Sequence, residues 1–148
     1  MKRLIAAVLL VSATSPAQPP ADGEGPPGPA RARSKAPARI TPVYSRSLPG
    51  VPGKSLKGVL VEYAPGGASP PHRHARSAMI YATVLEGSVL CRLNGGPVRT
   101  YRQGENWTES PGDRHQVSAN ASRTKPARIL AIFVVDDADA ELTLPDPD

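Results

Sequence analysis

From residue 41 onward the chain is a succession of short β-prone runs, each cut off by a glycine or proline turn, and this punctuation limits the possible folds most. The runs occupy 41–45, 57–63, 78–85, 88–93, 98–102, 106–109, 115–119 and 129–135. Between them lie Pro49-Gly50, Pro65-Gly66-Gly67, Glu86-Gly87, Asn94-Gly95-Gly96-Pro97, Gln103-Gly104 and Pro111-Gly112. No stretch keeps a helical period for about twelve residues or more. Asn94-Gly95 between two apolar runs predicts a hairpin, because both residues tolerate positive φ. Many short strands at this spacing predict an all-β sandwich or barrel. Its core is expected from Val59, Val61, Ile80, Ala82, Val84, Val89, Val98, Val117, Leu130, Ile132 and Val134. A domain over 43–136 is large enough for one such core, with stability leaning on dimerisation.

The flanks differ in character. Met1-Lys2-Arg3, the apolar run 4–11 and Ser15-Pro16-Ala17 predict a signal peptide over 1–17, too short to span a bilayer and cut after Ala17. The mature protein is then expected in the periplasm or outside the cell, with no stable membrane insertion. Residues 18–42 are dominated by Pro, Gly, Ala and Arg and read as a disordered tether, since they lack the apolar side chains that would offset ordering. Residues 43–135 carry twelve Lys/Arg against five Asp/Glu, whereas 136–148 carry six acidic residues and no basic ones. The segment 137–148 is therefore expected as an acidic tail, solvated or lying against the basic body. Nucleic acid is not an expected partner: the basic residues are scattered, and only 4% of residues are aromatic, too few for stacking platforms. The single cysteine, Cys91, excludes an internal disulfide and reads as a buried, inert thiol.

Chemistry concentrates in three histidines. His72 and His74 flank Arg73, and His115 follows the Ser110-Pro111-Gly112-Asp113-Arg114 turn. Strand residues two apart share a face, about 7 Å apart at Cα, so His72 and His74 can aim at one point. A third imidazole from another strand completes a metal site with open positions. Imidazole suits a divalent transition metal: Fe, Mn, Cu, Ni or Zn.

Gly66, then His72-Arg73-His74, then a strand closing on Glu86-Gly87 is similar to the first motif of the cupin family. Gly104, Gly112, His115 and Asn120 resemble the second, with the Asn94-Gly95 hairpin between them. The resemblance covers about 55–136 and implies a jelly-roll barrel (a double-stranded β-helix), a metal in its mouth, and often a homodimer. Two positions depart from the pattern. Where the family places a glutamate after the second histidine, this chain has Ala78, Met79 or Ile80, and the proline of the second motif is shifted to Pro111, behind Ser110. Glu109 is the nearest replacement, as a fourth ligand or as an acid/base, against the plainer reading of a surface carboxylate. Met79 is either a soft ligand or, more simply, core. Trp107 reads as packing, Tyr81 as facing away from the interior, and Arg76 and Arg114 as solvated loop arginines near the mouth.

Two function classes follow. One is a metal-dependent, dioxygenase-like enzyme acting on a small chelating molecule such as an enediol, flavonol or diketone, with the metal as Lewis acid and Glu109 as base. The other is a non-catalytic module that binds a metal or a small molecule. Metal-free sugar isomerisation is a third class, but it calls for a His–Asp or His–Tyr pair that the sequence does not display.

Overall fold

The computed structural model describes residues 36–146; the expected leader and most of the tether lie outside the described residues. The described chain forms strands β1 (Arg39–Ser47), β2 (Lys54–Tyr63), β3 (Ala68–Ser69), β4 (His72–His74), β5 (Met79–Glu86), β6 (Ser88–Leu93), β7 (Arg99–Arg102), β8 (Asn106–Glu109), β9 (Arg114–Asn120), β10 (Ala127–Asp136) and β11 (Thr143–Pro145). One sheet runs β1-β2-β10-β5-β8 and the other β11-β4-β9-β6-β7, with β3 also pairing β9. Every pairing is antiparallel, as the alternation of short runs and tight turns predicts for a jelly-roll barrel. The predicted hairpin joins β6 to β7, and Asn94 and Gly95 take φ of 50° and 71°.

The core lies between the sheets. Val84 and Ile129 from one sheet meet Val89 and Cys91 from the other, all nearly inaccessible. Each fully buried valine contributes roughly 1.5–2 kcal/mol. Burial pushes the Cys91 thiol up to about 12, so it stays protonated at neutral pH.

On β10 the sequence expectation took the wrong face. Ile129, Ala131, Phe133 and Val135 point inward, whereas Leu130, Ile132 and Val134 are only half-buried on the outer side. The run Ile-Leu-Ala-Ile-Phe-Val-Val is apolar on both faces, so alternation gives no parity, and a shift of one residue inverts every assignment. Val98 is exposed in the hairpin loop, and Val117 is half-buried beside an irregularity in β9. Met79 is 53% exposed and faces outward, so it is neither ligand nor core.

The flanks also contribute strands. β1 begins at Arg39, inside the stretch expected as tether to residue 42, and pairs with β2 along its length. It is an edge strand, where a proline is tolerated, and the pairing shifts register just after Pro42. β11 lies inside the acidic segment expected as a tail and pairs with β4. Asp146 then bridges Arg73 and Arg114 at 2.9 and 2.7 Å, so the acidic end lies against the basic body. Arg114 is thereby ion-paired rather than a free loop arginine.

Candidate metal centre

β4 and β9 are neighbours, and His72 faces His115 directly across the ladder. With His74 two residues along the same face of β4, all three rings project into the barrel. Ring centroids lie 4.9 Å apart for His72–His74, 5.0 Å for His72–His115 and 6.4 Å for His74–His115. One ligand nitrogen from each ring falls within 4.8 Å of the others.

The orientation of each ring is fixed from behind. The Nδ1 of His72 lies 2.8 Å from the Pro70 carbonyl, and the Nδ1 of His74 lies 2.9 Å from the Leu142 carbonyl. A carbonyl only accepts, so both Nδ1 atoms carry the proton, and the neutral form of each ring has its lone pair on Nε2. The Nδ1 of His115 stands 3.2 Å from Glu109 Oε1, which makes the same assignment for the third ring. This is how metal-binding imidazoles are held elsewhere: the rear N–H is tied to a carbonyl or carboxylate, and the front nitrogen is left free. Burial in the barrel holds His72 down at about 4, partly offset by its bond to Pro70 and lowered further by the other two rings, so it is neutral at pH 7.

Glu109 is 3% exposed and belongs to this cluster, not to the surface. Its Oε1 accepts from Trp107 Nε1 at 3.1 Å and from His115. Its Oε2 lies 3.3 Å from His74 Nε2. Burial alone would push this carboxyl up, but its contacts with the imidazoles, the hydrogen bond from His115 first, outweigh it and hold it below the usual carboxylate range. Three buried side-chain polar atoms have no partner among the described residues, and two of them lie here: Glu109 Oε2 and His115 Nε2. A buried carboxylate oxygen and a buried imidazole lone pair, both left over, fit a cation.

Glu109 lies beside the position of the first motif's missing glutamate. Ile80, one of the positions where that glutamate was sought, is buried on β5 and pairs directly with Glu109 on β8. The carboxylate therefore reaches the site from the adjacent strand, one ladder rung across. Alternation on β8, with Trp107 and Glu109 inward and Asn106 and Thr108 outward, carries that signal in the sequence. The Leu142 carbonyl carries none, since a backbone acceptor is anonymous in sequence.

The histidines open onto a cavity of about 200 Å3 lined by both sheets and rimmed by Ile40, Pro42 and Thr143. Trp107 is in its wall as well as in the core.

The family model described as "Cupin domain" matches residues 59–133, which contain all three histidines and Glu109. The chain belongs to the cupin family. Among curated proteins, this cupin is similar to "Putative germin-like protein 12-4" of Oryza sativa subsp. japonica, 40% identical over 108 residues, or 67% of this chain and 46% of that protein. It is also similar to "Germin-like protein 3-1" of the same plant, 42% identical over 57 residues, covering 38% of this chain and 25% of that protein. The chain thus spans less than half the length of these relatives. Among solved structures, an uncharacterized conserved protein with a double-stranded beta-helix domain from Klebsiella pneumoniae superposes with a TM-score of 0.58. It is 17% identical, over 74% of this chain and 87% of that one, a likeness of fold. Oxalate oxidase in complex with the substrate analogue glycolate gives a TM-score of 0.50 and 26% identity, covering 66% of this chain and 51% of that one.

Proposed function

We propose that this cupin binds one divalent transition metal (Fe, Mn, Cu, Ni or Zn) through Nε2 of His72, His74 and His115, and that the metal serves a dioxygenase-like reaction on a small chelating molecule. The observation that carries the reading is the shared polarity of the three rings: each rear nitrogen is committed to an acceptor, and each front nitrogen faces the same point. When bound, the metal supplies a Lewis acid with open coordination positions. Leu142 and Pro70 hold two imidazoles in the binding tautomer, and Glu109 holds the third. Glu109 Oε2, without a hydrogen-bond partner among the described residues, orients a substrate hydroxyl by accepting its hydrogen bond as the substrate enters, or completes the ligand set. The apolar walls keep bulk water away from that hydrogen bond. Oxalate oxidase, an enzyme with a similar barrel, supports catalysis over simple storage.

The test is oxygen uptake by fully metallated protein with a panel of enediols, diketones and flavonols. Uptake that disappears in Glu109→Gln bears the reading out; no uptake with any of them contradicts it. The second reading, a non-catalytic binding module, draws on one observation: Glu109 Oε1 is shared between Trp107 and His115, which is a positioning arrangement. On either reading Glu109→Gln lowers metal affinity about 10- to 100-fold in an equilibrium competition assay. Moving the carboxylate back, as Ile80→Glu in a Glu109→Leu background, recovers most of that loss. An unchanged affinity in Glu109→Gln removes the carboxylate from the site.

The remaining partners belong to the same proposal. The outer face of the five-stranded sheet is apolar: Ile132 pairs with Tyr81, Val134 with Met79 and Leu130 with Leu60, and Tyr81 is 42% exposed. A homodimer through this face explains why an outward surface is so apolar. Light scattering is expected to give twice the chain mass, falling to the monomer in Tyr81→Glu; a monomeric parent protein contradicts it. Nucleic acid has no part in this reading, and residues 1–17, read as a leader, place the protein in the periplasm or outside the cell.

A further inference from the structure

Three residues of the cavity wall stand apart from the imidazole cluster in a way that names a ligand class. Tyr63, on β2, is 2% exposed, and its Oη lies 2.6 Å from Ser118 Oγ and 3.2 Å from Ser69 Oγ. All three hydroxyls belong to residues that line the same cavity as His115. Ser118 and His115 are three apart on β9, and residues three apart in a regular strand face opposite sides. Here Arg92 pairs with Val117 and Leu93 with His115, so Gln116 is an extra residue, and this bulge resets the alternation so that both side chains turn inward. Three hydroxyls carry three protons, and only two contacts join them. One hydroxyl proton therefore has no acceptor among the described residues.

The rest of the wall is apolar, including Val59, Ala82, Ile129 and Phe133. Among the described residues no Lys, Arg, Asn or Gln side chain lines the cavity, and its one carboxylate is Glu109. A dicarboxylate would enter with no organic cation to meet its second charge. The volume of about 200 Å3 is that of a single ring with substituents, since an apolar cavity of about 150 Å3 accepts benzene. Along β9 the two polar ends lie within roughly 10 Å of each other, a span one substituted ring bridges.

We infer that the cavity takes an uncharged, single-ring molecule with adjacent oxygen donors at the imidazole end and a carbonyl oxygen accepting from the Tyr63–Ser69–Ser118 hydroxyls at the other. The imidazole end rests on the proposed metal centre; the hydroxyl end does not.

Calorimetric titration of the full-length chain separates the two. On metal-free protein, acetophenone is expected to bind about 5-fold tighter than ethylbenzene, its apolar counterpart, through one added hydrogen bond. That preference is expected to vanish in Tyr63→Phe, which keeps the ring and its packing, and to shrink in Ser118→Ala. Loading with Zn is expected to tighten 3,4-dihydroxyacetophenone about tenfold or more while leaving acetophenone unchanged. A ketone preference that is absent, or that survives both substitutions, overturns the inference, as does oxalate binding as tightly as the dihydroxy ketone. A ketone preference that holds while Zn affects neither ligand contradicts the metal centre and supports the hydroxyl end.

Discussion

Purified His115→Ala is expected to retain almost no metal, and His72→Ala and His74→Ala to behave alike. Elemental analysis should give about one ion per chain in the parent protein and under about a tenth of that in each variant. The three effects are comparable because no ring has a substitute: three imidazoles supply the converging nitrogens, and Glu109 beside them is already engaged with Trp107 and His115. His115→Ala carries an additional cost, since it strips Glu109 Oε1 of one of its two donors inside the barrel. Leaving a buried carboxylate short of a bond costs about 1–3 kcal/mol, so this variant should also melt lower than the other two. Circular dichroism showing folded protein in all three separates loss of metal from loss of fold. Metal content unchanged in any one of them removes that residue from the centre.

Gly87→Ala is expected to be the most damaging small substitution in the barrel. Gly87 turns the chain from β5 to β6 with φ of +72°, and an added Cβ would lie 2.4 Å from the Pro126 carbonyl oxygen and 3.2 Å from the Ala127 Cα. Both obstacles are backbone, and Ala127 is fully buried at the start of β10, so neither moves cheaply. Gly104 is the control: its φ is +85°, but a Cβ there meets nothing within 4 Å. The left-handed conformation alone costs an alanine about 1 kcal/mol, and the steric overlap adds about 2 kcal/mol or more. In thermal unfolding, at roughly 4 °C per kcal/mol for a domain of this size, Gly87→Ala should fall by about 12 °C and Gly104→Ala by about 4 °C. Equal shifts would mean that the β5–β6 turn does not press on the start of β10.

These two cases show where sequence reasoning succeeds. Histidines two apart, and glycines closing runs of β-prone residues, are local signals whose physics is complete within a few residues. Their consequences, a shared face and a tight reversal, appear in the fold as expected. Parity on β10 was illegible because both of its faces are apolar, one toward the core and one toward the outer surface. β11 was illegible because a short strand in an acidic segment has no periodicity; its place depends on Arg73 and Arg114, far away in sequence. The direction of Glu109 was half legible, since Trp107 two residues before it marks the inward face of β8. The inward turn of Ser118 was not, because a bulge is an insertion relative to a partner strand and exists only once the pairing does.

Anomalous diffraction from metal-loaded crystals, collected at the absorption edge of the bound element, tests the central claim most directly. The account predicts one peak per chain, about 2.0–2.2 Å from Nε2 of His72, His74 and His115, with every Nδ1 still turned to its carbonyl or carboxylate. A peak ligated through Nδ1, or an ion bound elsewhere while the three rings remain unligated, contradicts it.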